Sequence, residues 1–285
     1  MAKYQEKLLR GQPSAPGEWN EYLKEAHAAA PGMAPKAFEQ PRAADGRNSY
    51  QILTDAAGEN PTRVLDLACG DGHLTRYLRR RFGTGPEIVG VDMSDHELHA
   101  ARANNADPRT RYILSMADSI PEASASFDVI LCHMSLMLLD PLEPTLREVS
   151  RLLKSGGIFA GIVSGGPPTG FMLEYVNIFR EFVSRRYPDY QPRNGGDART
   201  RTSEGLRESL REWCDIEITS FAIEVRRSPE TAWNFFEDMY NVTLLPPAER
   251  DELGAVVTAK ARELAAGSGE LAFPFPMRLF RAGNP

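Results

Sequence analysis

Between Thr62 and Ser164 the chain alternates short apolar runs with amphipathic helical stretches, and this alternation narrows the fold more than any other feature of the sequence. The runs are RVLDLA (63–68), EIVGVDM (87–93), RYILSMA (111–117), FDVILCHMSL (127–136) and IFAGIVS (158–164). They lack the in–out alternation of a half-exposed strand, so they predict strands covered on both faces. HLTRYLRRRF (73–82), SDHELHAARAN (94–104) and LEPTLREVSRLLKSGG (142–157) read as the covering helices. The second opens with Ser94 and has Glu97 three residues on, which predicts a capping box. The third is predicted to close at Gly156 and Gly157.

Outside this block the pattern changes. GEWNEYLKEAHAAA (17–30) predicts a helix ended by Pro31 and Gly32, and NSYQILTDAAG (48–58) a shorter one. FMLEYVNIFREFVSRRYPDY (171–190) and SEGLRESLREW (203–213) read as helices around a polar loop, RNGGDARTRTS. DIEITSFAIEVRR alternates as a strand. Ser228 and Pro229 predict the start of a helix over ETAWNFFEDMYN, and PAERDELGAVVTAKARELAAG predicts another. ELAFPFPMRLFR reads as a final strand whose prolines place it at a sheet edge. The expected architecture is α/β: a Rossmann-like, mostly parallel seven-stranded sheet with helices on both faces and an antiparallel edge. Its expected parts are a helical cap (1–60), a cofactor-binding core (61–164), a helical lid insertion (165–213) and C-terminal strands and helices completing the core (214–285).

The first strand leads into a loop, ACGDG, whose Gly70 and Gly72 allow a tight turn and close approach of a ligand. A dinucleotide fingerprint would need a third glycine where Thr75 stands, and Asp71 opposes a pyrophosphate at the helix N-terminus. Asp92 ends the second strand, where a carboxylate accepts the hydroxyls of a ribose. Asp118 follows the third strand, where it can accept the exocyclic amine of adenine. Asp66, Asp92 and Asp118 stand 26 residues apart on successive strands. Three acids near one crevice suit a cationic, phosphate-free adenosine compound with an amino group and a sulfonium.

These residues resemble the class I S-adenosylmethionine-dependent methyltransferases, in particular the small-molecule, ubiquinone-methylase-like branch. VLDLACGDG is similar to the family's first motif, with Ala68 in place of its first glycine. GVDMS resembles the ribose-binding motif, MADS the adenine loop, SFDVILCHMSLMLL the fourth-strand motif and RLLKSGG the turn before strand five. The resemblance covers residues 60–164 well and the rest loosely. It implies S-adenosyl-L-methionine as cofactor, with S-adenosyl-L-homocysteine as product. It further implies Asp66 and the Ala68, Cys69, Gly70 and Gly72 backbone at the methionine part, Asp92 and Met93 at the ribose, and Ala117, Asp118 and Ser119 at the adenine.

The acceptor side is less determined. His133, after the fourth strand, is a base candidate whose ordinary pKa suits neutral pH, or a packing neighbour of the cofactor. Tyr50 stands before the first strand and can close over the methionine end or pack in the cap. Phe171, Tyr175, Phe179 and Phe182, and again Trp233, Phe236 and Tyr240, have helical spacing. Each set is either a core stripe or a wall for an acceptor. Arg185, Arg186, Arg193, Arg199 and Arg201 read mainly as solvated charge. His96 and His99 read as surface, while His73, one residue past Gly72, can touch the cofactor through its backbone. A net charge of −6 argues against a nucleic-acid partner, and no NPPY-like run follows strand four. No apolar run is long enough for a membrane span or a signal peptide. Cys69, Cys132 and Cys214 have no metal-site or disulfide spacing. The expectation is a cytoplasmic enzyme without a metal, methylating a small molecule such as a natural-product intermediate. A pericyclase- or lyase-type enzyme that binds the same cofactor, or a non-catalytic cofactor-binding partner protein, are the alternatives.

Overall fold

The five apolar runs form the parallel part of one sheet. The computed structural model describes residues 3–12, 15, 17–190 and 195–285. Among these the elements begin with α1 (Lys3–Leu9), α2 (Glu18–Ala29), α3 (Met33–Phe38), α4 (Ser49–Asp55), β1 (Arg63–Leu67), α5 (His73–Phe82), β2 (Glu87–Asp92) and α6 (Asp95–Asn104). They continue with β3 (Thr110–Leu114), β4 (Phe127–His133), α7 (Leu142–Leu152), β5 (Leu153–Ser164), α8 (Gly170–Arg186) and α9 (Ser203–Ser209). The last are β6 (Cys214–Arg227), α10 (Tyr240–Thr243), α11 (Pro247–Leu264) and β7 (Leu271–Gly283). The strand order is β3-β2-β1-β4-β5-β7-β6. β1 pairs in parallel with β2 and β4, β2 with β3, and β4 with β5, while β7 runs antiparallel to β5. The order reverses between β1 and β4, so a ligand crevice belongs at their carboxyl ends.

The chain divides into two compact units. One comprises Asp45–Gly166, Gly195–Phe221 and Pro276–Pro285. Val64 to Leu67 of β1 and Val129 to His133 of β4 are buried, which is why these runs carry so little polar alternation. Leu142, Leu146, Val149 and Leu152 form the buried face of α7, packed with Phe127, Ile130, Phe159 and Phe280. Each such side chain contributes about 1.5–3 kcal/mol on burial.

The other unit comprises Met1–Ala44, Pro167–Asn194 and Ala222–Phe275. Its core is aromatic. Tyr175 stacks on Phe236 with ring centres 4.0 Å apart, Phe171 meets Phe273 edge-on at 5.5 Å, and Phe38 tilts against Phe275 at 5.4 Å. Arg186 lies over the Phe182 ring.

Four expectations are corrected. β7 is not an edge strand: it lies between β5 and β6, and β6 is the outer strand. Pro274 and Pro276 are tolerated because the ladder with β5 starts only at Met277. ETAWNFFEDMYN does not form a helix, but 3-10 turns at Pro229–Thr231 and Trp233–Phe235 followed by α10. Its aromatic, Asn and Asp residues are weak helix formers, and the consecutive Phe235 and Phe236 are both buried, which a one-faced helix does not satisfy. α7 ends at Leu152 rather than at the glycines, and Leu153 to Gly157 join β5, where Gly156 and Gly157 bond the Asn284 backbone. α9 stops at Ser209, short of Trp213, which packs against Phe159.

Candidate functional site

The turn after β1 needs left-handed backbone at three positions within five residues: Ala68 (φ 55°), Gly70 (φ 51°) and Gly72 (φ 74°). Glycine adopts this at no steric cost, whereas Ala68 bears roughly 1–2 kcal/mol of strain. At Gly72 an added Cβ would meet the Tyr112 hydroxyl at 2.6 Å, so packing as well as conformation excludes a side chain. At Gly70 the direction is open: among the described residues only the Glu97 carboxyl comes within 4 Å, its Oε2 at 3.9 Å. Among the described residues the loop therefore leaves an open cradle at Gly70 with a carboxyl at its wall.

Asp92 ties this loop to the end of β2. Its Oδ2 accepts the Gly70 N–H at 2.9 Å and its Oδ1 the Ser94 N–H at 2.8 Å. Asp66 lies deeper. It is 1% exposed, and its Oδ2 has no hydrogen-bond partner among the described residues. Burial, then the neighbouring charges of Asp92 and Asp71, push its carboxyl well above the usual range. Asp71 is neutralised from the first turn of α5, where Arg76 pairs with its Oδ2 at 3.2 Å. The strand register explains the difference in depth: Asp66 stands opposite Gly90, whereas Asp92 stands opposite Leu114 at the tip of β3. The regular sequence spacing of the three acids thus does not put them at one level. Asp118 is exposed in the turn beyond β3, beside Ala117 and Ser119, and this turn is closed by Ser115 Oγ bonding the Ser119 carbonyl at 2.9 Å. Met93 is half-buried beside Asp92, and Cys69 is buried under the loop, where burial raises its thiol pKa.

On the other side of the turn, α4 presents Tyr50. Its ring stacks on His133 at 3.9 Å, lies parallel to Tyr77 at 5.5 Å and meets His73 edge-on at 4.6 Å. An N-terminal capping box between Asn48 and Gln51 starts α4, and Ser49 Oγ lies 2.9 Å from His133 Nε2. His133 is 7% exposed, and burial followed by the nearby His73 lowers its pKa to about 3. The imidazole is neutral across the physiological range, which removes the titration that its ordinary pKa suggested. Met134, the next residue, also has left-handed backbone (φ 55°).

Tyr50 thus joins the cofactor candidates within one unit. Phe171, Tyr175, Phe179 and Phe236 are buried in the aromatic core of the other unit, and half-buried Trp233 and Tyr240 flank it, against Gly254 and His27. Arg199 pairs with Asp197 and Glu143, Arg186 with Glu252 and Arg185 with Glu181, so these three are ion-paired; Arg193 lies outside the described residues. His96 and His99 are exposed as expected. Among the described residues no group of acids, histidines and cysteines could hold a metal, and no helix is long and apolar enough to cross a membrane. Sequence reasoning missed Gly90, whose hydrogen face receives the Tyr112 ring beside Cys69. A lone glycine within a strand is the signal that marks such close approach. It also missed Ser49 and Tyr77, which meet their partners only in the folded chain.

Residues 65–161 match a family described as "Methyltransferase domain". Over 137 residues the chain is 31% identical to the malonyl-[acyl-carrier protein] O-methyltransferase of Enterobacter lignolyticus, covering 48% of this chain and 53% of that protein. Over 134 residues it is 24% identical to the demethylmenaquinone methyltransferase of Staphylococcus aureus, covering 47% and 56%. The chain therefore spans about half the length of the curated relatives it matches. Among solved structures, the phosphoethanolamine N-methyltransferase 2 of Haemonchus contortus superposes with a TM-score of 0.58 at 20% identity, over 94% of this chain and 60% of that one. The YcgJ protein of Bacillus subtilis superposes with a TM-score of 0.55 at 18% identity, over 82% and 97%. Both likenesses are of fold.

Proposed function

We propose that this chain, whose residues 65–161 match a methyltransferase-domain family, is a class I S-adenosylmethionine-dependent methyltransferase that transfers a methyl group from S-adenosylmethionine to a small-molecule acceptor. The observation that carries the cofactor assignment is the cradle at Gly70, with Asp92 bonded to its N–H and, buried below, an Asp66 oxygen without a hydrogen-bond partner among the described residues. Such a donor-poor, acid-rich pocket fits a ligand that brings its own N–H and O–H donors, a positive charge and no phosphate. In this reading Asp66 and the backbone from Ala68 to Gly72 receive the methionine part. Asp92 and Met93 receive the ribose, and Ala117, Asp118 and Ser119 the adenine.

S-adenosylmethionine, when bound, supplies an electrophilic methyl group on a sulfonium. The chain's own residues then have to hold, align and dry the site. Tyr50 and His133, stacked and buried beside the turn, serve as a rigid wall rather than as a base. A base with a pKa of about 3 is poorly matched to proton removal at neutral pH. The acceptor in this reading arrives with its nucleophilic atom already free, as an ionised oxygen, a neutral amine or a stabilised carbanion. A natural-product intermediate of this kind is the acceptor class we favour. The relatives carry names of both O-methylation and quinone methylation, which fits a core that leaves the choice of atom to the acceptor. A cytoplasmic setting is supported by three free cysteines.

Incubation with methyl-tritiated S-adenosylmethionine and a panel of carboxylate, amine and phenol acceptors tests the proposal. Label in a small-molecule product supports it. Saturable cofactor binding with no transfer across the panel, or turnover of an acceptor without label, would overturn the methyl-transfer reading while keeping the cofactor site.

A further inference from the structure

Tyr112 stands in β3, two strands away from the turn after β1, yet its side chain reaches beneath that turn. An added Cβ at Gly90, in β2, would meet the ring at 2.6 Å, and one at Gly72 would meet the hydroxyl at 2.6 Å. The ring thus crosses β2 at Gly90 and delivers its hydroxyl to the last residue of the turn. There the hydrogen bonds have one direction. The Thr75 hydroxyl carries a single hydrogen and gives it to the Gly72 carbonyl at 2.6 Å, so in its 2.7 Å contact with the Tyr112 hydroxyl it accepts. The Asn105 side-chain oxygen accepts the Asp107 N–H at 3.1 Å, which turns its NH2 toward the Tyr112 hydroxyl at 3.3 Å. Donation therefore runs from Asn105 to Tyr112 to Thr75 to the Gly72 carbonyl, and each bond in such a chain polarises the next. Thr75 is fully buried, and its backbone N–H bonds the Asp66 carboxyl. Gly72, where the chain ends, has a φ of 74° and opens α5 without a side-chain cap. Among the described residues the Gly70 side of the turn is open, so its left-handed backbone is fixed from the buried side, by Asp92 at Gly70 and by this chain at Gly72.

We propose that Tyr112 is a positioning residue of the cofactor site: acting through Thr75, its hydroxyl holds the turn in the binding conformation before the ligand arrives. The inference rests on the S-adenosylmethionine reading above. A ligand that meets a preset turn loses no binding free energy to ordering it. Calorimetric titration of S-adenosylhomocysteine into the wild type, Tyr112→Phe, Thr75→Val, Thr75→Ser and the double variant Tyr112→Phe/Thr75→Val tests it. Each titration is made at a temperature where urea unfolding shows that protein to be fully folded. Tyr112→Phe keeps the ring against Gly90, and with it the fold, and is expected to bind about fivefold more weakly. Thr75→Val, which also removes the donor to the Gly72 carbonyl, is expected to lose about tenfold. Thr75→Ser keeps the hydroxyl and should bind within about twofold of the wild type, even where the lost methyl group lowers its stability. The double variant should bind no more weakly than Thr75→Val, because Tyr112 acts through Thr75. A merely structural hydroxyl would lower the urea midpoint and leave the affinity of the folded protein unchanged. That result, a loss in Thr75→Ser as large as in Thr75→Val, or losses that multiply in the double variant, would overturn the proposal. A wild type that does not bind S-adenosylhomocysteine would refute the cofactor reading itself, and this inference with it.

Discussion

Replacing Asp92 by asparagine separates the loop bonds this carboxylate makes from the ribose contact proposed for it. In the free protein it accepts the Gly70 N–H at 2.9 Å and the Ser94 N–H at 2.8 Å. Hydrogen bonds to a charged acceptor contribute about 1.5–3 kcal/mol each. The asparagine carbonyl can keep one of them, but its NH2 then faces the other N–H, donor against donor. Asp92→Asn should therefore lower stability by about 2 kcal/mol. It should also lose one of the positions offered to the ribose, which weakens S-adenosylhomocysteine by about 1–3 kcal/mol, or about 5- to 150-fold. Urea unfolding with and without ligand reads the first term and calorimetry the second. The two must be separable: the loss of affinity persists at temperatures where the variant is fully folded. A variant that is destabilised as expected but binds with wild-type affinity would show that Asp92 serves only the loop. One that is unchanged in both would refute the geometry from which the magnitudes were worked.

Ala68→Gly should stabilise the protein by about 1 kcal/mol, since it relieves a left-handed φ of 55° on a residue with a Cβ; a lowered urea midpoint would contradict this. Gly70→Val should be destabilised by its left-handed φ of 51° but not by a clash, since among the described residues its Cβ meets only the Glu97 carboxyl at 3.9 Å, and should lose measurable cofactor binding by filling the cradle; calorimetry on a variant with wild-type circular dichroism checks this. His133, lowered by burial from 6.5 to about 3, should make stability depend on acid: the unfolded chain takes up the proton first. Its contribution is complete above about pH 6.5 and is lost toward pH 3, at up to about 1.4 kcal/mol per pH unit. His133→Phe should flatten that part of the profile, and identical acid slopes in the two proteins would count against the assignment.

The parts of the fold legible in the sequence are those specified locally. Apolar runs without alternation announced buried parallel strands, and a turn requiring positive φ announced itself by its glycines. Asp92 was readable because the end of a strand fixes where its side chain emerges. What stayed hidden depends on residues far apart in the chain. Ser49 and His133 are separated by 84 positions, and neither residue's neighbours signal the contact. The spacing of Asp66, Asp92 and Asp118 suggested acids near one crevice, but spacing carries no depth, and Asp66 pairs opposite Gly90 in the strand interior. Prolines in β7 suggested an edge because the sequence does not reveal where its ladder begins. Helical spacing of Trp233, Phe236 and Tyr240 persuaded wrongly because periodicity ignores propensity: the intervening residues prefer turns, and Phe235 needed burial as well. Glu97 was read as a cap because the local pattern fits one, and Asp92 had already taken the donor that a cap requires.

The central claim is that the turn between β1 and α5, with the ends of β2 and β3, is the S-adenosylmethionine site. Ultraviolet cross-linking of methyl-labelled S-adenosylmethionine to the intact chain, followed by peptide mapping, tests it most directly. The structure predicts that label falls in peptides carrying residues 68–76, 92–97 or 115–119, is abolished by excess S-adenosylhomocysteine and is absent from Gly70→Val. Label that survives the competitor, or that maps to α8 or α11 with none in those three peptides, would contradict it.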